Sequence, residues 1–565
     1  MSEEHTSSMA QGPSIVVGVD FGTTFSGIAW AFNESVNEIE VMSTWPGGGN
    51  RTSVKAPSII SYGAQNSLWG YQVGPFTDAF RGIKLLLDEH QQTTYPPSLN
   101  SKILLQKYKI NATQVTADYL QHVVRYAEEV LERRLGVPAR AMNIRFVLTV
   151  PAVWSDKAKD STLLAAVKAG ISAQDISLVS EPEAAALYSL RAIQPNAIAK
   201  NDVFIVCDAG GGTVDLISYQ IRELEPLALV EVVKGAGRIC GSMLLDQRFE
   251  RLLEQRMRPN GYATLTDKSK EAALTYWQDR VKPNFTGKFD DDFADVDYFI
   301  PIPGAQDDPS VPIEDGFFQL TSEDVTQIFE PIIQDVELLV AEQIKGIEKK
   351  QLSPKAILLV GGFGSSEFLF RRLQEANPTV TVMQPPDAWS AVVSGAVHRG
   401  LDGNRVESRI ARRNYGIEYR TRYIDGVHQP QDKVWDDLEE RYDVHGRMSW
   451  YIKKYSNLSE NKPIKMPFYR AVQTTDTDGL VFIESLMFCN GDQAPEKKSN
   501  DTMRLCSLEA DLSKIPQELF RKERNSQGVE YFEIHFDLVM IPTSASLLFE
   551  LEFNGVPYGS VRSKY

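Results

Sequence analysis

Two stretches of the chain, almost two hundred residues apart, carry residue types in an order suited to holding phosphate. Ile15 to Phe25 reads I-V-V-G-V-D-F-G-T-T-F, and Val203 to Leu216 reads V-F-I-V-C-D-A-G-G-G-T-V-D-L. Each is a β-branched and apolar run that ends in an aspartate, then glycine, then threonine. The run predicts a buried strand, and the glycines allow the tight turn after it. A turn that presents backbone N–H groups and hydroxyls is a cradle for phosphate, and the aspartate suits a hydrated Mg2+. One copy is weak evidence; two copies point to two facing lobes that close on one nucleotide. A third glycine turn, L-V-G-G-F-G-S-S-E, follows the apolar run Ala356 to Val360. There Gly361 and Gly362 let backbone approach a flat ligand, and Ser365 or Ser366 can cap the next helix.

These turns need elements to position them, and the flanking sequence supplies α/β alternation. Arg145 to Val150 reads as a strand, Ser155 caps a helix ending at Gly170, and Ile176 to Ser180 is strand-like before another helix. An amphipathic helix is expected from about Gln114 to Leu135, stopped by Gly136 and Pro138. Thr321-x-x-Asp324 is a capping box that opens a long helix through Ile347, with a bend expected at Pro331. The acidic run Phe289-Asp290-Asp291-Asp292 reads better as a solvated loop than as a cation site. Beyond about Gly400 the period changes to two: Phe532, Ile534, Phe536, Leu538 and Met540 alternate, then Phe549, Leu551 and Phe553 before the Asn554-Gly555 turn. Val481 to Phe488 is a further strand. The expected organisation is a disordered start over 1–14, α/β lobes over 15–200 and 201–400, and a β-rich module over 401–565.

Composition bounds the function classes. A chain of 565 residues exceeds one core, and 42% hydrophobic with 24% charged content is that of a globular protein. A net charge of −16 argues against nucleic acid, because phosphate neutralisation needs a basic surface. The polar, acidic start M-S-E-E-H-T-S-S does not read as a signal peptide, and no apolar run approaches the roughly 20 residues that span a bilayer. Four scattered cysteines without C-x-x-C spacing point to reduced thiols and a cytoplasmic, or nuclear, location. G-x-x-x-x-G-K-[ST], H-E-x-x-H and G-x-S-x-G are all absent, which excludes a P-loop and disfavours zinc-protease and serine-hydrolase chemistry.

In order along the chain, five signatures resemble the ATPase domain of the 70-kDa heat shock protein family, part of the actin and sugar-kinase superfamily. They are the turn at Asp20 to Phe25, T-V-P-A-V-W-S-D at Thr149, S-E-P-E-A-A-A at Ser180, the turn at Asp208 to Asp215, and V-G-G-F-G at Val360. P-P-D-A-W-S-A-V-V-S-G-A-V at Pro385 adds a helix at the second lobe junction. The resemblance covers about Ile15 to Gly400. It implies a two-lobed, actin-like α/β fold of duplicated ribonuclease-H-like lobes, followed here by the β-rich module.

It also implies roles. Gly22, Thr23, Thr24 and Phe25 would face the phosphates from one lobe, and Gly210, Gly211, Gly212 and Thr213 from the other. Asp20, Asp208 and Asp215 would face Mg2+, with K+ a candidate second ion. Lys84, in R-G-I-K-L-L-L-D, takes the place of the catalytic lysine, and Glu181 and Asp208 would orient the attacking water. Gly361, Gly362 and Asp387 match the base-side contacts, and Asp279 and Lys282 fall where ribose and base are held. The implied activity is ATP or ADP binding and ATP hydrolysis that gates an unfolded peptide or protein client, with a co-chaperone or exchange factor. The alternative is a nucleotide-gated scaffold or sensor with little turnover.

The chain departs from the family in places. Phe25 replaces a tyrosine, Lys159 an arginine and Pro283 a basic residue, and the aspartate-leucine linker, helical lid and acidic tail are missing. In the linker's place stand Arg409, Arg412 and Arg413, read as either a docking patch or a solvated connector.

Overall fold

Each apolar run that ends in a glycine turn is a buried strand in the computed structural model, which describes residues 14–34, 38–63, 66–74, 77–88, 95–136, 142–193, 198–289, 296–307, 311–460, 462–476, 478–543 and 545–565. Strand β1 (Ser14–Phe21) is buried at every position. It pairs antiparallel with β2 (Phe25–Phe32) and parallel with β3 (Asn143–Val150), which pairs parallel with β4 (Ile176–Ser180). Short strands Glu40–Val41 and Ala56–Pro57 flank β2. In a second sheet, β5 (Val203–Ala209) pairs antiparallel with β6 (Val214–Leu224). Strand β7 (Leu227–Arg238) lies beyond β6, and β5 pairs parallel with β8 (Pro354–Val360), itself parallel to β9 (Thr381–Met383). Parallel neighbours need long crossovers, which the helices provide.

Four helices accompany the first sheet: α1 (Pro96–Tyr108), α2 (Ala112–Leu135), α3 (Asp156–Lys168) and α4 (Glu181–Ile193). Helix α2 begins two residues before the expected start because Asn111 caps it, its side chain accepting from Gln114 N–H at 2.8 Å. Ser155 caps α3 as expected, accepting from Ala158 N–H at 3.2 Å. Six more follow: α5 (Met243–Arg256), α6 (Arg258–Thr264), α7 (Asp267–Tyr276), α8 (Ser322–Glu348), α9 (Glu367–Ala376) and α10 (Ala391–Asp402). The Thr321/Asp324 capping box opens α8, which runs through Pro331, and Ser366 rather than Ser365 caps α9. Pro138, the run Asp290 to Asp292 and the first thirteen residues lie outside the described residues; Ser14 is already in β1.

The chain divides into two compact units, residues 1–228 with 235–405, and residues 229–234 with 406–565. In the second unit the expected basic connector is partly a strand: Arg409 lies in Val406–Ile410, which pairs with residues 229–230 and with Asn457–Leu458. The reason is local, since Val406 and Ile410 are both buried. One sheet runs Lys433–Asp436, Arg441–Ile452, Asn414–Arg422, Val481–Cys489, Met503–Asp511, Arg562–Lys564. The other runs Ile464–Gln473, Glu530–Pro542, Leu547–Phe553, Val556–Ser560, with Arg521–Arg524 also on Glu530–Pro542. They share one core, with Ile417, Ile452, Leu486 and Leu508 from the first and Met466, Ile534, Leu538 and Leu551 from the second. Asn554 and Gly555, at φ 50° and 80°, close the hairpin that their sequence signalled. Among the described residues this unit holds no α-helix, and no described helix of the chain is long and apolar enough to cross a membrane.

Candidate functional site

Strand register sets both phosphate turns. Asp20 pairs with Gly27 and Phe21 with Ser26, which leaves Gly22 to Phe25 as the first turn. Asp208 pairs with Asp215 and Ala209 with Val214, and the Gly210 N–H closes the second turn on the Thr213 carbonyl at 2.9 Å. The turns meet face to face. A Cβ on Gly211 would lie 2.3 Å from Thr24 Oγ1, and one on Gly212 would lie 2.5 Å from Thr23 Oγ1. Only glycine lets the second turn come this close to the two hydroxyls of the first.

The third turn braces the second. Gly361 has φ +88°, and a Cβ there would lie 2.5 Å from both the Ala209 carbonyl oxygen and Asp208 Oδ1. The Phe363 and Gly364 N–H groups donate to that same carbonyl at 2.8 and 3.0 Å. Beside Gly362 the sequence expects room for a flat ligand; Trp389 already fills part of it, its indole nitrogen 3.3 Å from where a Cβ would be. The indole also meets the exposed Phe25 ring edge-on at 5.9 Å between centroids. Trp389 lies in the P-P-D-A-W motif, but nothing in that spacing marks it as a cleft residue. Asp387 is exposed at φ +54°, and its charge adds to burial in raising the Tyr188 phenol.

Asp279 and Lys282 are not brought together as a pair. Lys282 donates to Asp246 Oδ1 at 2.7 Å, a carboxylate that also accepts from Trp277 and Gln278. Asp279 is exposed and lines a hollow of about 520 Å3 with Glu271, Tyr276 and Arg280, but with none of the turn residues. A larger hollow of about 730 Å3, lined by Trp45, Tyr126 and Glu129, also lacks them. Its two rings are themselves almost fully buried, so it is a concave surface rather than a centre of reactive groups.

Reactive groups concentrate at the strand ends instead. Asp20, Glu181, Asp208 and Asp215 are all buried, as are Lys55 and Lys84. Lys84 sits in a 3₁₀ turn, Ile83–Leu86, and donates to Glu181 Oε1 with its ammonium 5.5 Å from the Trp154 ring centroid. Two residues beyond the turn, Asp88 accepts from Ser155 N–H at 3.2 Å and Ser155 Oγ at 3.0 Å, which ties the segment to the start of α3. Lys55 donates to Asp20 Oδ2 at 2.6 Å, and Thr149 Oγ1 donates to Asp20 Oδ1 at 3.0 Å. Thr149 belongs to the T-V-P-A motif. Lys55 lies in no motif, and sequence reasoning missed it.

Four carboxyls against two ammonium groups give the cleft its electrostatics. Burial opposes ionisation of Asp20, but Lys55 and Lys84 outweigh it and hold the group below the ordinary aspartate value. Burial, then repulsion from Glu181, Asp20 and Asp215, holds Asp208 well above that value. Burial also pushes Glu181 up to about 7, against the opposing pull of Lys84. Carboxylates that resist ionising together suit a hydrated divalent cation such as Mg2+, which would relieve their repulsion through its water shell, since no three of these four groups bring their oxygens within 4.8 Å of one another. The acidic cluster Asp436, Glu439 and Asp443 in the second unit differs, because Arg420 and Arg441 pair with all three.

A raised carboxyl makes stability pH-dependent. The folded state holds the Glu181 proton between about 4.5 and 7 while the unfolded chain releases it, so this group's contribution to stability falls as pH rises through that window. Glu181→Gln removes the titration. Urea midpoints at pH 5 and 8 are expected to show the variant losing less stability than the wild type; equal losses would mean that Glu181 ionises normally.

Comparison with known proteins converges on one family. Residues 88–273 match the HSP70 family model, described as Hsp70 protein. The chain is similar to human heat shock 70 kDa protein 12A, 25% identical over 512 residues that cover 75% of this chain and 74% of the relative. It is similar to human heat shock 70 kDa protein 12B, 24% identical over 514 residues, 74% of this chain and 73% of the relative. A chaperone protein HscA homolog of Rickettsia typhi is 30% identical over 234 residues, 40% of this chain and 36% of the relative.

Proposed function

The chain belongs to the 70-kDa heat shock protein family, and on that premise we propose that it binds ATP between its two glycine-threonine turns and hydrolyses it. The observation that carries this reading is the interlocked approach of Gly211 and Gly212 to Thr24 and Thr23, at the ends of the strands that carry the buried Asp20 and Asp208. In this reading the two sheets are duplicated ribonuclease-H-like lobes of an actin-like ATPase domain. Thr23, Thr24 and the backbone of Gly210 to Thr213 hold the phosphates. Asp20, Asp208 and Asp215 would face the shell of a hydrated Mg2+, which when bound would neutralise phosphate charge. Glu181 and Asp208 orient the water for in-line attack. Lys84 stabilises charge developing on the γ-phosphate.

The named chaperones among the relatives extend the proposal: nucleotide state gates binding of an unfolded peptide or protein client by the β-rich second unit, with an exchange factor resetting it. Phosphate release, measured with and without an unfolded peptide, tests both layers. Lys84→Met is expected to lower turnover at least about 100-fold, the scale of losing one charge-stabilising group. Wild-type release no faster than that variant's would favour the scaffold or sensor reading. Turnover indifferent to peptide would remove the client from it.

A further inference from the structure

We propose that Lys55 is a resident cation of the cleft, offering its ammonium to phosphate oxygens so that nucleotide binding leans less on divalent metal than four facing carboxylates would otherwise demand. The inference rests on the nucleotide reading above and concerns a residue to which neither the motifs nor the resemblance assigns a role.

Comparison of the two hairpins shows how the site is built. In the second, Asp208 faces Asp215 across the strands; in the first, Asp20 faces Gly27, which has no side chain. The short strand Ala56–Pro57 pairs with β2 through Ser26 and Phe25, so Lys55 lies one step further along, beside Gly27. Its stem crosses that glycine: a Cβ on Gly27 would lie 3.2 Å from Lys55 Cγ and 3.6 Å from Cε. The ammonium then reaches Asp20 Oδ2 at 2.6 Å. Where one hairpin carries a second carboxylate, the other passes a cation over an empty position.

The backbone of Lys55 is held as firmly as its head. Its carbonyl accepts from Ser53 Oγ at 2.7 Å and from Tyr71 OH at 3.2 Å. The side chain is 8% exposed. Burying a lysine this deeply strips its ammonium of water, so a polar ligand that shares the ammonium improves the site. An ammonium carries three N–H donors, and the bond to Asp20 uses one. By the same bond Lys55 competes with a metal shell for Asp20. Both effects weaken the dependence of nucleotide binding on Mg2+.

The test is a fluorescent N-methylanthraniloyl ADP titrated into the full chain with Mg2+ and again with excess EDTA, which reads binding and not turnover. Wild type is expected to lose less than about tenfold in affinity on chelation, and Lys55→Met at least about a hundredfold, the scale of a charge-assisted phosphate contact. Lys55→Met strands Asp20, so a Lys55→Met/Asp20→Asn double variant, which keeps the net charge of the cleft, guards against misfolding. It too has no ammonium to offer, so it is expected to lose more affinity on chelation than wild type even though it lacks one metal-facing carboxylate. Equal metal dependence in wild type and both variants would overturn the inference and leave the nucleotide reading intact. No binding by wild type in either buffer would overturn both.

Discussion

An Asp208→Asn variant is expected to lose at least about 100-fold in ATP turnover while still binding nucleotide and melting no earlier than the wild type. The reasoning joins electrostatics to geometry. Asp208 is one of four buried carboxyls, and burial, then repulsion from Glu181, Asp20 and Asp215, holds its proton affinity well above normal. Exchange for an amide of the same shape removes a repelling charge and leaves the bracing turn at Gly361 undisturbed. What it removes from the proposed mechanism is a carboxylate that orients the attacking water and faces the metal. Its positional counterpart Asp20 sharpens the contrast. Asp20→Asn leaves Lys55 buried without its carboxylate, and breaking a buried pair in this way costs about 3–5 kcal/mol. The two isosteric substitutions, at equivalent places in two hairpins, therefore separate into a catalytic and a structural defect. Thermal melts, phosphate release and nucleotide titration check the pair, and wild-type turnover in Asp208→Asn would sink the site assignment.

What was legible in the sequence follows the range of the interactions involved. Strand, turn and cap are local. The buried strand β1 with the glycine turn after it, the Ser155 cap and the Thr321/Asp324 box could be read because a handful of consecutive residues decide each. Lys84 and Glu181 stand 97 residues apart, and only the resemblance placed them in one site. Lys55 escaped because its partner is 35 residues away and its segment has neither period nor motif; what positions it is a two-residue strand beside Gly27. Trp389 escaped for a related reason. Gly362 signals that something approaches closely, and it cannot say whether that is a ligand or an indole from the same chain. Asp279 and Lys282, assigned together only by the resemblance, part because Asp246 on another helix accepts from the lysine.

Gly395→Ala is expected to destabilise the first unit by at least about 3 kcal/mol, the upper range for overpacking a filled core. The sign is what makes the experiment decisive. Inside helix α10, glycine to alanine should stabilise by about 1 kcal/mol on helix propensity alone. Tertiary packing opposes it. A Cβ on Gly395 would lie 1.7 Å from the carbonyl oxygen of Ala184 on α4 and 2.9 Å from its Cα, both backbone atoms that no rotamer change can clear. Ala184, Ala185 and Ala186 are fully buried, so α4 is already as slim as its E-P-E-A-A-A run permits and the helices can only separate. Glu181 is the first residue of α4 and the partner of Lys84, so a displaced α4 carries the ion pair with it. Urea midpoints should fall, and turnover should fall even at temperatures where the variant is folded. A variant as stable as the wild type would show that α4 and α10 have room to spare. The glycine would then be no part of what fixes Glu181 against the phosphate turns.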